Sequence, residues 1–154
     1  MKAACVKDYQ LIAKKKLPKF LFEYLDGGSY SEVTKHQNLK DLEALSLRQR
    51  VLRGSSDIDT KINLFGSTYN LPVALGPVGL AGMYARRGEC QALRAAEKCG
   101  VPFSLSTVGV CSLNEVAKTS NKPFWFQLYM IKDRSFMVDL LTQAREAKCS
   151  ALIF

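Results

Sequence analysis

Residues 71–79 read LPVALGPVG, an apolar run that ends in a proline between two glycines. Two later runs follow the same plan, FSLST at 103–107 and FWFQLY at 124–129, and a fourth run begins at Ala151. In barrels of parallel strands that alternate with helices, functional residues lie at the C-terminal ends of the strands. The repeated pattern therefore predicts an α/β barrel whose site residues directly follow each strand.

The segments between these runs carry helix signals. Residues 88–99 place apolar side chains at helical spacing, Cys99 among them, and Gly100 is a stop signal. Ser112 and Glu115 have the spacing of a capping box, and Asp133 can N-cap a further helix. The apolar face predicted for that further helix consists of Phe136, Met137, Leu140, Leu141 and Ala144. Strands alternating with helices predict parallel pairing through right-handed crossovers.

A doubly wound parallel sheet would give a similar rhythm of strands and helices. It is disfavoured because residues 76–82, GPVGLAG, lack the GxGxxG frame that binds a dinucleotide pyrophosphate. A closed eight-stranded barrel typically needs about 250 residues, whereas this chain has 154. The sequence therefore predicts the N-terminal half of a TIM (β/α)8 barrel over residues 71–154, with the chain stopping inside the fourth strand.

Residues 1–70 do not follow the barrel rhythm and predict a helical segment that precedes the barrel. Three helices are predicted, over 8–16, 18–25 and 31–45, of which the second opens with a proline and is followed by Asp26-Gly27-Gly28. Residues 61–64 and 68–70 flank a Phe-Gly-Ser turn and predict a small hairpin that caps the bottom of the barrel. The two domains predicted are thus 1–70 and 71–154.

The chain has a net charge of +8 at pH 7, and 47% of its residues are hydrophobic and 23% charged. This composition is typical of a globular domain. The basic excess would suit an anionic partner such as nucleic acid, a phospholipid surface or a small acidic substrate. Because the charge is diffuse and no motif interleaves aromatic with basic residues, nucleic acid is not predicted as a partner.

The five cysteines are odd in number and form no CxxC pair. Neither a disulfide framework nor a zinc site is therefore predicted, and no residue is assigned as a metal ligand. The cysteines indicate reduced, mostly buried thiols in a cytosolic protein. No apolar run is long enough for a secretory signal or a membrane span, so any membrane contact is predicted to be peripheral.

Several residues at the predicted strand ends can bind a ligand. The glycines of residues 76–82 allow backbone to approach a flat ligand, although from the residues alone a tight βα loop is the favoured explanation. Gln127 and Tyr129 lie two apart on one strand and share a face, beside Ser106 on the neighbouring strand, although buried polar residues that merely satisfy one another are the alternative. The single histidine, His36, lies among polar residues and is predicted at the surface, so the sequence offers no histidine base.

Five segments, in this order, resemble the FMN-dependent α-hydroxy acid dehydrogenases and oxidases. They are PKFLFEYLDGGSYSE (18–32), LRQRVL (47–52), LPVALGPVGLAGMYARRGE (71–89), PFSLSTV (102–108) and PFWFQLYMIKDR (123–134). The resemblance assigns five residues to FMN binding, namely Pro77, Val78, Gly79, Ser106 and Gln127. It assigns two residues to substrate binding, namely Tyr24 and Tyr129. The family's histidine base, arginine and lysine have no counterpart here, so no catalytic residue is assigned within this chain.

The resemblance also implies an activity and a cellular setting. It is strongest to the quinone- or cytochrome-linked members, and it implies FMN-dependent oxidation of L-lactate, or a related 2-hydroxy acid, to pyruvate or its analogue. Electrons would pass to a quinone or cytochrome of the respiratory chain. The longer protein would be a homo-oligomer attached peripherally to the cytoplasmic face of the inner membrane. Without that attachment it would be cytoplasmic. The alternative is a truncated, non-catalytic fragment.

Overall fold

Helices are the regular elements of the N-terminal unit, Met1–Ser56, in the computed structural model, which describes residues 2–54 and 57–154. They are α1 (Val6–Lys16), α2 (Lys19–Asp26) and α3 (Val33–Glu43). The prediction of three helices is confirmed, and the observed ends differ from the predicted ones by two residues or fewer. Pro18 directly precedes α2, where its missing N–H leaves no helical hydrogen bond unmade.

A two-stranded hairpin opens the second unit, Asp57–Phe154. Strands β1 (Ile62–Leu64) and β2 (Ser67–Tyr69) pair antiparallel around Phe65 and Gly66, which both have positive φ angles. Positive φ at both central residues is the geometry of a tight hairpin turn. The hairpin is therefore as predicted, but it lies in the same unit as the parallel strands, whereas the predicted division at residue 70 grouped it with the helices.

The parallel sheet consists of β3 (Ser104–Ser106), β4 (Trp125–Gln127) and β5 (Ala151–Ile153) in that order. The register pairs Leu105 with Phe126 and Phe126 with Leu152. Parallel pairing was predicted and is confirmed. Each of these strands begins at or within one residue of its predicted start.

The first predicted barrel strand, Leu71–Leu75, is reduced to a single bridge. Only Leu75 pairs, in parallel with Phe103. Its N–H donates to the carbonyl of Pro102 at 2.9 Å, and its carbonyl accepts from the N–H of Ser104 at 3.0 Å. Pro72 has no N–H to donate to a ladder, which disfavours a paired strand over residues 71–74. The prediction of a full strand here is wrong in length, although the chain does join the sheet beside β3.

Four helices accompany the sheet: α4 (Ala81–Tyr84), α5 (Gly88–Cys99), α6 (Leu113–Ala117) and α7 (Arg134–Glu146). The N-caps predicted at Ser112 and Asp133 are present, and of the predicted capping box the half that the Glu115 N–H donates is observed. The Ser112 hydroxyl accepts from the N–H of Glu115 at 3.2 Å. A carboxylate oxygen of Asp133 accepts from the N–H groups of Ser135 and Phe136 at 2.9 and 3.2 Å. These contacts satisfy N–H groups that a helix leaves unpaired in its first turn.

The core lies between the helices and one face of the sheet. Its most buried side chains include Leu93 on α5, Leu105 on β3, Val116 on α6 and Phe126 on β4. At the N-terminal end of the sheet, the Trp125 ring packs edge-on against the hairpin rings of Phe65 and Tyr69, with centroids 5.4 and 6.1 Å apart. The hairpin therefore covers the bottom of the sheet, as predicted.

Two apolar patterns extend less far than the spacing predicted. On α7, Phe136 and Leu141 are exposed, while Met137, Leu140 and Ala144 contact the core. All five cysteines are free, but only Cys90 and Cys111 are buried, and Cys99 is exposed at the end of α5. The prediction of mostly buried thiols is therefore only partly right. Among the described residues, none of the helices is long and apolar enough to cross a membrane.

Candidate functional site

Polar side chains of neighbouring strands meet at the C-terminal edge of the sheet. Ser106 is the last residue of β3, Gln127 is the last residue of β4, and the parallel register places them side by side. Gln127 is in turn paired with Ile153 of β5. Ser106 is buried and Gln127 is half-buried. The sheet therefore brings together the two strand-end residues that the sequence singled out.

Hydrogen bonds hold Gln127 in one orientation. Its side-chain oxygen accepts from the Ser106 hydroxyl and from the backbone N–H of Thr107, both at 3.4 Å. The Thr107 hydroxyl donates to the backbone carbonyl of Gln127 and accepts from the N–H of Tyr129. The side-chain nitrogen of Gln127 donates no hydrogen bond to residues 57–154. That amide N–H can therefore serve a ligand.

Tyr129 continues the line of Gln127. Phe126 and Leu128 are buried in the core, so the alternation of an extended chain directs Gln127 and Tyr129 to the opposite face. The Tyr129 side chain is 55% exposed. Its backbone is fixed through Thr107, while its ring is free to contact a small molecule. The prediction that these two side chains share a face is consistent with this pattern, and their contacts with ligands stay predictions.

Residues 76–82, here called the glycine loop, follow the bridge at Leu75. A Cβ added to Gly76 would meet no heavy atom within 4 Å, so the backbone is open on this side. A Cβ added to Gly79 would lie 3.0 Å from a methyl group of Val108. The next residue, Leu80, donates its N–H to the carbonyl of Val108 at 3.0 Å. The loop is therefore anchored on its Gly79 side and offers bare backbone on its Gly76 side.

Residues 107–112, here called the β3–α6 loop, contact the glycine loop through a buried glutamate that sequence reasoning did not single out. Glu89 lies in the first turn of α5 and is 2% exposed. One of its carboxylate oxygens accepts from the N–H of Gly82 at 3.0 Å and from the N–H of Val110 at 2.7 Å. A charged residue on the apolar side of a helix was the available signal, because such residues are rarely buried without a partner.

The pKa of Glu89 reflects these contacts. Burial alone would raise the pKa, because it disfavours the charged form. Hydrogen bonds from the N–H groups of Glu89 itself, Val110 and Gly82, together with the Cys111 thiol, outweigh burial and lower the pKa below its ordinary value of 4.5. Glu89 is therefore a carboxylate at neutral pH.

Two buried thiols lie next to this carboxylate. The sulfur atoms of Cys90 and Cys111 and a carboxylate oxygen of Glu115 lie within 4.8 Å of one another. Burial, followed by contacts with Glu89 and Cys90, raises the pKa of Cys111 to about 12, so its thiol is protonated at neutral pH. Glu115 forms an ion pair with the guanidinium of Arg87 at 3.1 Å. The fold thus groups Cys90, Cys111 and Glu115. The sequence did not predict this cluster, because it contains no CxxC motif.

The remaining candidates lie in the N-terminal unit. Tyr24 is on α2, and its side chain is 68% exposed. His36 is on α3 and exposed, with its ring 3.8 Å from a carboxylate oxygen of Glu32. The prediction of His36 as a surface residue is confirmed. The substrate-binding role of Tyr24 stays a prediction.

Comparisons with known proteins agree on one family. The sequence profile of the FMN-dependent dehydrogenases matches residues 13–154. An L-lactate dehydrogenase of Alcaligenes faecalis is 55% identical over 147 residues, and one of Caulobacter sp. (strain K31) is 57% identical over 147 residues. Each alignment covers 96% of this chain and 39% of the relative. The chain therefore spans about two fifths of the length of these curated relatives.

Solved structures give the same result for the fold. A crystal structure of a mandelate oxidase is similar with a TM-score of 0.90 and 34% identity, covering 99% of this chain and 44% of that one. A mutant of an active chimera of (S)-mandelate dehydrogenase is similar with a TM-score of 0.88 and 30% identity, covering 96% and 41%. The predicted fold class, part of a TIM barrel preceded by helices, is confirmed.

Proposed function

Because this chain belongs to the FMN-dependent dehydrogenase family, we propose that the protein containing it oxidises L-lactate to pyruvate and that residues 71–154 form one side of its flavin site. The observation that carries the proposal is the meeting of Ser106 and Gln127 at the C-terminal edge of the parallel sheet. The choice of lactate is supported by two L-lactate dehydrogenases at 55% and 57% identity.

The residues at this edge fit the chemistry of FMN. A flavin ring is flat and carries carbonyl oxygens and ring nitrogens along one edge. The unused N–H of the Gln127 amide is a suitable donor for such an edge, and the oxygen of Ser106, whose proton goes to Gln127, can still accept a hydrogen bond. The open side of Gly76 leaves backbone without a Cβ next to Pro77, Val78 and Gly79, the three loop residues that the resemblance assigns to the flavin. When bound, FMN would take up the two electrons that leave the hydroxy acid.

Substrate binding is assigned to Tyr24 and Tyr129. A tyrosine hydroxyl can donate to a carboxylate or to a substrate oxygen. Tyr129 suits this role because its exposed ring follows Gln127 on the same face of the extended chain. For Tyr24 the support is the sequence resemblance and the exposure of its ring on α2.

We extend the proposal to the electron acceptor and the location. The acceptor is a quinone or cytochrome of the respiratory chain, and the protein is a homo-oligomer bound peripherally at the cytoplasmic face of the inner membrane. The support for these points is the resemblance of the five segments quoted above. A purified preparation would test them through quinone reduction and co-sedimentation with membranes.

The deciding experiment is anaerobic reduction of the flavin in the natural protein. Addition of L-lactate is expected to bleach the visible absorbance of bound FMN and to yield pyruvate. D-lactate provides the stereochemical control, and mandelate and glycolate test the size of the acid. Bound FMN that no 2-hydroxy acid reduces would contradict the proposal and favour the non-catalytic alternative.

A further inference from the structure

Glu89 connects the glycine loop, which carries three of the proposed flavin contacts, with the loop that directly follows a fourth contact, Ser106. The glycine loop contains Pro77, Val78 and Gly79, and the β3–α6 loop directly follows Ser106. A single carboxylate oxygen accepts one N–H from each loop, from Gly82 at 3.0 Å and from Val110 at 2.7 Å. Glu89 therefore fixes the separation of the two loops at its own position.

The packing between the loops leaves little room for adjustment. A Cβ added to Gly82 would lie 2.7 Å from the Cβ of Val110 and 3.1 Å from the second carboxylate oxygen of Glu89. On the other side of the glycine loop, Gly79 faces Val108 at 3.0 Å by the same measure. The loops are thus in close contact at Gly82 and at Gly79. A shift of the loops at Glu89 would therefore also displace the backbone at Gly79.

The charge on Glu89 distinguishes it from an ordinary packing residue. The side chain is buried, and within residues 57–154 it accepts hydrogen bonds from N–H groups and a thiol rather than from a cation. Burying a charge is costly unless hydrogen bonds compensate for it. Hydrogen bonds to an ionised acceptor are stronger than neutral ones, and they hold their donors more firmly.

From this geometry we propose that Glu89 is a positioning residue for the flavin: it holds the glycine loop and the β3–α6 loop in the arrangement that binds FMN, without contacting the ring. The inference rests on the proposed function, because it takes the glycine loop and Ser106 to bind the flavin. It goes further by assigning the placement of the glycine loop relative to Ser106 to one buried carboxylate on α5.

The test is Glu89→Gln in the natural full-length protein. Glutamine keeps the size of the side chain and one oxygen that can accept from Gly82 and Val110, but it removes the charge. The FMN dissociation constant is expected to rise about tenfold, the range set by hydrogen bonds to a charged group. The rate of flavin reduction by lactate should fall, whereas the KM for lactate should change less than kcat, because Glu89 contacts no substrate.

A control variant separates positioning from general stability. Val116→Ala truncates a fully buried side chain of α6 that belongs to the same core but has no side-chain hydrogen bond to either loop. It is expected to lower the melting temperature while leaving the FMN dissociation constant close to that of the wild type. Glu89→Asp retains the charge on a shorter side chain. It replaces Glu89→Gln in the same measurements if the glutamine variant does not fold.

The outcomes distinguish the inference from the proposed function. If Glu89→Gln lowers only the melting temperature, as Val116→Ala does, Glu89 is a structural residue and the inference is overturned. If the wild type binds FMN but lactate does not reduce it, the proposed activity fails, while FMN affinity still tests Glu89. If the wild type does not bind FMN, both proposals are overturned.

Discussion

Gln127 is held on its acceptor side and open on its donor side. Its oxygen receives the Ser106 hydroxyl and the Thr107 N–H, both long contacts at 3.4 Å, while its nitrogen donates to no described residue. An amide offers donors and an acceptor from one group, so one end can be fixed by protein while the other serves a ligand. The side chain therefore lends itself to a substitution that changes only the open end.

Gln127→Glu tests the donor directly, because a glutamate side chain is the nearest mimic of the fixed end. The carboxylate keeps an oxygen for Ser106 and Thr107 but removes the N–H and adds a negative charge beside the proposed carbonyl edge of FMN. We expect the fold to persist and the FMN dissociation constant to rise by about tenfold or more. Quenching of FMN fluorescence during titration of the apoprotein measures the change.

Gln49→Glu provides the control for charge, since Gln49 is exposed in the N-terminal unit. It alters the net charge equally, and FMN affinity should remain near that of the wild type. Unchanged FMN affinity in the Gln127 variant would show that the amide N–H does not bind the flavin.

Ser106 and Gln127 could be predicted because strand ends are marked locally, by a polar residue after an apolar run. Glu89 could not be predicted in the same way. Its partners Gly82 and Val110 lie 7 and 21 residues away, and only the crossover between strands brings them together. Pairings of this kind depend on tertiary structure, to which a single sequence gives little access.

At the scale of elements, the helices followed their sequence signals more closely than the first strand did. The caps at Ser112 and Asp133 are local interactions, and both are present. The strand predicted over 71–75 depends on a partner that must supply a ladder of hydrogen bonds, and only Leu75 finds one. Spacing also overestimated the buried apolar face of α7, because Phe136 and Leu141 are exposed.

The start of α4 gives a prediction that compares two glycines of the same loop. Gly82→Ala places a Cβ 2.7 Å from the Cβ of Val110, so the glycine loop must move away from the β3–α6 loop. The cost of such overpacking is about 1–3 kcal/mol of unfolding free energy. Urea unfolding of the natural protein, followed by circular dichroism, measures this loss.

Gly76→Ala is the matched substitution, because its Cβ meets no heavy atom within 4 Å. Its effect on the unfolding free energy should stay within about 0.5 kcal/mol, as for an unconstrained site. Equal stabilities for the two variants would mean that the loops separate freely, and this would also weaken the role assigned to Glu89.

In the molecule as a whole, the C-terminal edge of the parallel sheet is polar. The buried carboxylate of Glu89 is hydrogen-bonded to the loop that follows β3 at that edge. Several acidic groups have pKa values lowered by hydrogen bonds from backbone N–H groups or neighbouring side chains. They are Asp8, Glu32, Glu89 and Asp133. Asp133 is exposed and Asp8 and Glu32 are only half-buried, so solvent screens their contributions more than that of the buried Glu89, which should dominate the acid sensitivity.

The sign of that sensitivity follows from linkage. The folded pKa of Glu89 is below 4.5, so the unfolded chain takes up a proton first as the pH falls. The stability that Glu89 contributes is therefore fully present above the unfolded value and is lost as the pH falls through the folded value. We expect the unfolding free energy to vary little between about pH 7 and 5 and to decline below about pH 4.5.

In Glu89→Gln this decline should be shallower, whereas Glu43→Gln, at the exposed end of α3, should keep the wild-type slope. Urea unfolding across this pH range measures both slopes, and an equal decline in all three proteins would show that Glu89 does not govern acid stability.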